Sequence, residues 1–326
     1  MKSKLLTAII CAAMGIGAAA FAFLGVKNLT TAQQEPEEAP APAYTLQQGA
    51  NTDVLGEKTD GLVANNLKDA KFPDGVLDSM KPALSASKNL AGWLTIPGTE
   101  MDTAVMQGND NNRYLHYDFY ERYTGEMSAI NYGNIYLDYR CNNGKTPSKN
   151  MVIHGHTTGK SDGIPKQAFR SLYDYAESKH FKKNPIIKYS TLYGEFTYKI
   201  CAVFYSTALA SSDNGYLFNY IYPDMSDNNM VGYIKQVKER MLYETGVSLE
   251  PTDKIITLST CIYVYGGSVD TRLVIVGRML HEGEDESIDK SLVKDNPDYR
   301  RPQVWYSRNG KTNPYKDSER WEPSAE

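Results

Sequence analysis

From Gly92 to Leu280 the chain is written in short runs rich in Val, Ile, Thr and Tyr, such as "GNIYLDYR", "KNMVIHGH", "IIKYSTLYGEFTYKICAVFYS", "DKIITLSTC" and "TRLVIVGRML", broken by Gly, Asn, Asp and Pro clusters. Branched and aromatic side chains fit a pleated, half-buried surface, and runs this short must pair with one another to bury it. One segment, "DNNMVGYIKQVKERMLYETG", is helical instead: Val231, Ile234, Val237 and Met241 recur at helical spacing and Gly246 closes the end. Many strands, few helices and no internal repeat predict a mainly β domain of about 200 residues, a barrel or a sandwich.

The flanks are of different composition. Leu5 to Val26 is 22 apolar or small residues without a charge, preceded by Lys2 and Lys4 and followed by Glu35, Glu37 and Glu38. That length spans a bilayer core of about 30 Å, and the charge asymmetry predicts a single-pass anchor with its N-terminus in the cytoplasm and the rest outside. A cleaved signal peptide is the rival, but its apolar region is usually only ~7–15 residues long. Cys11 lacks the small preceding residues of a lipidation site, with Ile9 and Ile10 there instead. Residues 1–29 are thus the anchor, and 30–60, rich in Pro, Ala, Gln and Glu, a flexible linker. Residues 61–281 form the folded domain, opening with two short amphipathic helices in "DGLVANNLKDA" and "DGVLDSMKPALSASKNL", the second interrupted by Pro82. Residues 282–326 form a polar, irregular extension packed at most partly on the domain. A net charge of -4 gives no broad basic surface and excludes nucleic acid as a partner.

Cys141, Cys201 and Cys261 fall in the exported part, and three thiols cannot all pair internally. Cys201 sits inside an apolar run and reads as a small core residue; a Cys141–Cys201 disulfide is open. Cys261 differs, standing where a strand ends and a Gly-containing loop begins. A nucleophilic thiol needs help to ionise, from a histidine or a fixed cation. His116, His180 and His281 read as surface or packed residues, whereas His154 and His156 in "VIHGHTT" end a strand as Cys261 does. "DKIITLSTC" and "TRLVIVGRML", joined through Gly266-Gly267, pair as an antiparallel hairpin that sets Arg272 beside Cys261. Arg278 lies six residues on, about 20 Å at ~3.3 Å per residue. His154 and His156 could also form a metal pair, but no third ligand stands at diagnostic spacing.

His-Gly-His at a strand end, "TLSTC" 105 positions after His156, and Arg272 eleven positions after the cysteine together resemble the sortases, membrane-anchored cysteine transpeptidases of Gram-positive bacteria. The resemblance covers roughly Leu90 to Leu280; the helical preface and the long helix before the cysteine strand are most similar to class B. It implies a closed sortase-type β-barrel, with Cys261 as catalytic nucleophile, Arg272 as oxyanion-stabilising cation and His156 as acid and base, His154 being the fallback. It implies no cofactor. Its partners would be secreted proteins bearing a C-terminal sorting signal, cleaved after Thr, and an acceptor amine of peptidoglycan or a pilin. Ser259, Thr260 and Tyr265 flank the cysteine and are candidates to contact the sorting peptide. The alternatives are a hydrolytic cysteine protease of the cell surface, or a non-catalytic surface β-domain with a buried Cys261.

Overall fold

The structure, a computed structural model, describes residues 70–124, 133–156 and 169–324. Its strands are β1 (Leu90–Thr95), β2 (Asp102–Met106), β3 (Tyr136–Leu137), β4 (Asn150–Gly155), β5 (Ile186–Thr191), β6 (Glu195–Thr207), β7 (Tyr243–Glu244), β8 (Ile255–Ile262), β9 (Thr271–Met279) and β10 (Lys294–Asp295). Eight of them close a barrel in the order β1-β2-β3-β4-β8-β9-β6-β5, and β10 pairs with β7 apart from it. The predicted mainly β class is therefore a barrel, as the resemblance implied.

Alternation along each strand sorts side chains between two cores. Ile256, Leu258, Leu273 and Ile275 join Met151 and Ile153 inside the barrel. Their neighbours Ile255, Val274 and Val276 face outward, where Met230, Tyr233 and Val237 of the long helix cover them. Among the described residues that helix is one of four α-helices, numbered α1 (Lys81–Ala86), α2 (Ser178–Phe181), α3 (Asp227–Arg240) and α4 (Gln303–Arg308). Ser226 caps α3 by accepting a hydrogen bond from the Asn229 N–H at 3.1 Å.

Three expectations change, and the open question of a Cys141–Cys201 disulfide is answered. Val231 is exposed, and Met230 and Tyr233 carry the buried face of α3 with Ile234 and Val237. The helix ends at Arg240, so Gly246 (φ 74°) turns the chain after β7 rather than capping α3. Pro82 lies in the first turn of α1, where its missing N–H has no partner to lose; it starts the helix rather than interrupting it. Cys141 and Cys201 are free thiols, buried among apolar side chains, and burial pushes both up to about 12.

The first predicted preface helix, the linker and the apolar run Leu5–Val26 fall wholly or almost wholly outside the described residues. Among the described residues no helix is long and apolar enough to cross a membrane.

The extension after Leu280 is more closely packed than its polar composition suggests. Val293 enters the barrel core cluster. Trp321 is buried against α3, where its Nε1–H donates to the Asn229 carbonyl at 2.9 Å. Gly232 admits that contact, since a Cβ there would stand 2.1 Å from the indole Cδ1.

Candidate active site

β8 and β9 pair antiparallel with Cys261 directly opposite Arg272 and Ile255 opposite Arg278. Directly paired residues share a face, so Cys261 and Arg272 lie on the outward face with Val274. Gly266 turns the joining loop at φ 90°, a conformation that other residues rarely adopt. Arg278 lies at the far end of the strand, where its Nη2 donates to Glu284 Oε1 at 2.8 Å. The hairpin thus places only Arg272 beside the thiol.

The histidine strand reaches the cysteine strand by a parallel pairing. In β4 and β8, His154 is level with Ser259 and Gly155 with Thr260. Continuing that register by one residue sets His156 level with Cys261, on the same outward face. Gly155 points inward between the two histidines: a Cβ there would lie 2.7 Å from the Phe169 ring and 2.8 Å from Ile135. Any larger residue at 155 would push the strand end, and both histidines with it, off the barrel.

The two histidines have different surroundings. His154 Nε2 lies 3.0 Å from Asp138 Oδ2. Asp138 is fully buried and also accepts from Arg140 and Asn111. Burial alone would raise its carboxyl pKa, but the hydrogen bonds from Arg140 and His154 outweigh it and hold the group well below the usual carboxylate range. His154 is therefore tied into a charged structural network. His156 instead has a backbone hydrogen bond with Leu115, while its Nε2 is buried without a partner among the described residues. The bond to a carbonyl assigns the proton to Nδ1 and leaves Nε2 as the basic nitrogen, at the level of Cys261.

Burial sets the charge state of the pair. It pushes the His156 pKa below the ordinary value, His116 and Arg272 add to the fall, and the Leu115 bond opposes it. Burial also pushes the Cys261 thiol up; Arg272 pulls it back and Asp270 raises it again. Burial thus disfavours the charged form of both groups.

Asp270 is a residue that the sequence reasoning passed over. Its carboxylate grips the Arg272 guanidinium at both ends: Oδ1 accepts from Nη1, and Oδ2 from Nη2 at 3.2 Å. Nη1 also donates to the Thr271 carbonyl at 3.3 Å, so both terminal nitrogens are engaged and the fork is held in one plane. Replacing Asp270 with Asn removes a negative charge that opposes the thiolate. At fixed pH, alkylation of Cys261 by iodoacetamide should then accelerate while turnover falls by about tenfold, because the guanidinium is no longer clamped. Slower alkylation would contradict this arrangement.

The three proposed peptide contacts present little to solvent. Ser259 is buried and its Oγ lies 2.9 Å from the Tyr220 hydroxyl. Thr260 points inward and donates to the Gly155 carbonyl at 2.8 Å. Tyr265 is buried with its ring 6.0 Å from that of Tyr205. The exposed side chains just after the cysteine are Tyr263 and Val264, at 60% and 44%. Tyr173 donates its hydroxyl to the Cys261 carbonyl at 3.1 Å, and Tyr136 is buried beside the His154 ring at 5.4 Å. Tyr173, Tyr136, Tyr220 and Leu115 reach the site from segments whose spacing to Cys261 carries no signal.

A closed barrel with a cysteine, an arginine and an available imidazole on one outward strand-end row defines a thiol acyl-transfer scaffold. The family model of the sortase domain matches residues 94–280. The chain is 31% identical to Sortase B of Listeria monocytogenes serovar 1/2a (strain EGD-e) over 186 residues, 57% of this chain and 68% of that protein. It is 26% identical to Sortase B of Staphylococcus aureus (strain NCTC 8325) over 235 residues, 72% of this chain and 85% of that one. The crystal structure of Staphylococcus aureus Sortase B superposes with a TM-score of 0.54 at 25% identity, covering 72% of this chain and 99% of that structure. The chain belongs to the sortase family of cysteine transpeptidases and is most like class B.

Proposed function

We propose that the chain is a cell-surface transpeptidase in which Cys261 is the nucleophile, His156 the acid and base, and Arg272 the oxyanion partner. The observation that carries this reading is Cys261 paired to Arg272, with His156 one residue beyond the last β4–β8 pair, Gly155–Thr260, and its Nε2 buried without a partner among the described residues. Cys261 loses its proton to His156 Nε2 and attacks the carbonyl carbon of the Thr in a C-terminal sorting signal. Arg272 stabilises the tetrahedral oxyanion, and His156 returns the proton to the departing amine, leaving a thioester. An amine of a peptidoglycan precursor or of a pilin then attacks the thioester, with His156 accepting its proton; the C–S bond breaks, the new amide is released, and His156 returns the proton to the Cys261 sulfur. The apolar run Leu5–Val26 would hold the enzyme at the outer face of the membrane, the linker 30–60 spacing the catalytic domain from it.

Hydrolysis is the outcome when water takes the place of the amine. The test is partition: with a sorting-signal peptide, added amine should divert product from the free acid to the amide in proportion to its concentration. Free acid alone at every amine concentration would make the enzyme a protease.

The pKa directions predict the pH profile. Activity rises as His156 deprotonates and falls as Cys261 ionises, whether the reacting pair is thiol with imidazole or its proton-exchanged equivalent. The His156 pKa is lowered and that of Cys261 raised. The acid limb of kcat/KM should therefore lie below the ordinary histidine value of about 6.5 and the alkaline limb above the ordinary cysteine value of about 8.5. A narrow bell centred between those values would contradict the burial of the pair.

A further inference from the structure

The residues beyond Leu280 lie outside the matched sortase domain, yet they hold the loop between the two strands of the site. Arg308, at the end of α4, donates from Nη1 to the Tyr265 carbonyl at 2.9 Å and from Nη2 to Ser268 Oγ at 2.9 Å. A row of rings runs parallel to these bonds: Tyr265 packs edge-on to Tyr205 at 6.0 Å, and Tyr205 packs edge-on to Tyr299 of the extension at 6.0 Å.

The segment that makes these contacts is itself fixed. The Arg300 N–H donates to the Glu239 carbonyl at 2.7 Å and its Nη1 to Glu239 Oε2 at 2.9 Å, tying the extension to the end of α3. The Gln303 N–H donates to Asp213 Oδ1 at 2.9 Å, just ahead of Arg308.

The glycine turn of the loop has few restraints of its own, whereas the end of the loop is anchored, with Val269 buried and the Ala208 N–H donating to the Asp270 carbonyl at 2.7 Å. Two turn bonds close it, Gly266 N–H to the Tyr263 carbonyl and Val269 N–H to the Gly266 carbonyl, each 3.0 Å. Between them Gly266 and Gly267 bring no side chain to pack, and a Cβ at Gly267 would meet nothing within 4 Å. Tyr263 and Val264 are exposed. The same loop leads from Cys261 to Asp270, which clamps Arg272, so loop motion that reaches the Asp270 carboxylate alters the placement of the guanidinium beside the thiol.

We propose that the C-terminal extension is a strap, and that Arg308 is a positioning residue that holds the β8–β9 loop and with it the Asp270–Arg272 pair opposite Cys261. Its catalytic consequence rests on the functional reading given above; the mechanical hold does not. Arg308 is exposed, so its removal leaves the core untouched.

The test compares Arg308→Ala, Arg308→Lys and Arg320→Ala in the full chain, by hydrogen exchange of residues 263–270 and by kcat and KM on a sorting-signal peptide. Arg320 is on the same extension but donates to the Asn214 carbonyl, away from the loop. Arg308→Ala should speed exchange across 263–270 and lower kcat by about ten- to a hundredfold with KM changed far less. Arg308→Lys keeps a donor for one acceptor and should recover part of the loss, and Arg320→Ala should match the wild type. Unchanged exchange in Arg308→Ala, or faster exchange with unchanged kcat, overturns the proposal. If the wild-type chain acylates no sorting peptide, the functional reading is what fails, and the exchange result alone then upholds or overturns the strap.

Discussion

Cys261→Ala should abolish acyl-enzyme formation, lowering turnover by a factor on the order of 10⁵–10⁶, while the barrel keeps its melting temperature to within a few degrees. The two halves of this prediction have separate grounds. Turnover vanishes because no other described thiol can replace the nucleophile: Cys141 and Cys201 are buried and held protonated with their pKa pushed up to about 12. Stability survives because Cys261 sits half-exposed at a strand end, and its one contact from Tyr173 is to the backbone carbonyl, which alanine retains. Cys201→Ala should show the reverse. It truncates a fully packed side chain at the bulge where β6 pairs with β9, and the loss should be about 1–2 kcal/mol of stability with kcat/KM preserved. Circular dichroism melts beside turnover measurements on both variants check the contrast. A Cys261→Ala protein that still acylates would place the nucleophile elsewhere, and one that loses stability when neither it nor the wild type acylates would return the site to the surface-domain alternative.

Arg272→Ala should lower kcat/KM by about 10²–10³, the usual loss when one donor to a developing oxyanion is removed. The guanidinium has a second effect, for it pulls the Cys261 pKa down against burial. Without it the thiol pKa rises, so iodoacetamide at fixed pH should react more slowly with Arg272→Ala than with the wild type. Arg272→Lys separates the two roles. A lysine keeps the positive charge and should keep most of the alkylation rate, but it cannot present the planar fork that Asp270 clamps, so turnover stays low. If lysine restored turnover as fully as alkylation, Arg272 would act only as a point charge.

The strand hairpin was the most legible part of the site. Rise per residue alone separates Arg272 from Arg278, because both ends of that argument lie within eighteen consecutive positions, 261 to 278. The choice of His156 over His154 was not legible in that way. It depends on the parallel register of β4 with β8, which joins segments about a hundred residues apart, and on a backbone carbonyl at Leu115 that no side-chain pattern reports. The burial of Ser259, Thr260 and Tyr265 was hidden for a related reason. A polar residue at a strand end looks exposed until the helix, the inner barrel face or a distant ring is placed against it.

Of the four residues expected on the helix face, Ile234, Val237 and Met241 are buried and only Val231 is not, because Met230 and Val231 are both apolar and adjacent. Periodicity over fourteen residues fits either, and the contact with Trp321 beside Gly232 decides between them. That contact comes from the extension, whose few anchors, Val293, Tyr306 and Trp321, are diluted among charges and prolines. A mean over the segment reads as solvated, although those three side chains are buried and the Arg300 and Gln303 bonds add to their hold.

The central claim is that Cys261 attacks a threonine carbonyl of a sorting signal. It is tested most directly by incubating residues 54–326 with a library of sorting-signal peptides in the absence of amine and measuring the intact mass of the protein. The account predicts a mass increment equal to the peptide fragment ending in its threonine less one water, mapped by digestion to Cys261, labile to hydroxylamine and absent from Cys261→Ala. No increment with any peptide, or an increment that persists in Cys261→Ala, would contradict it.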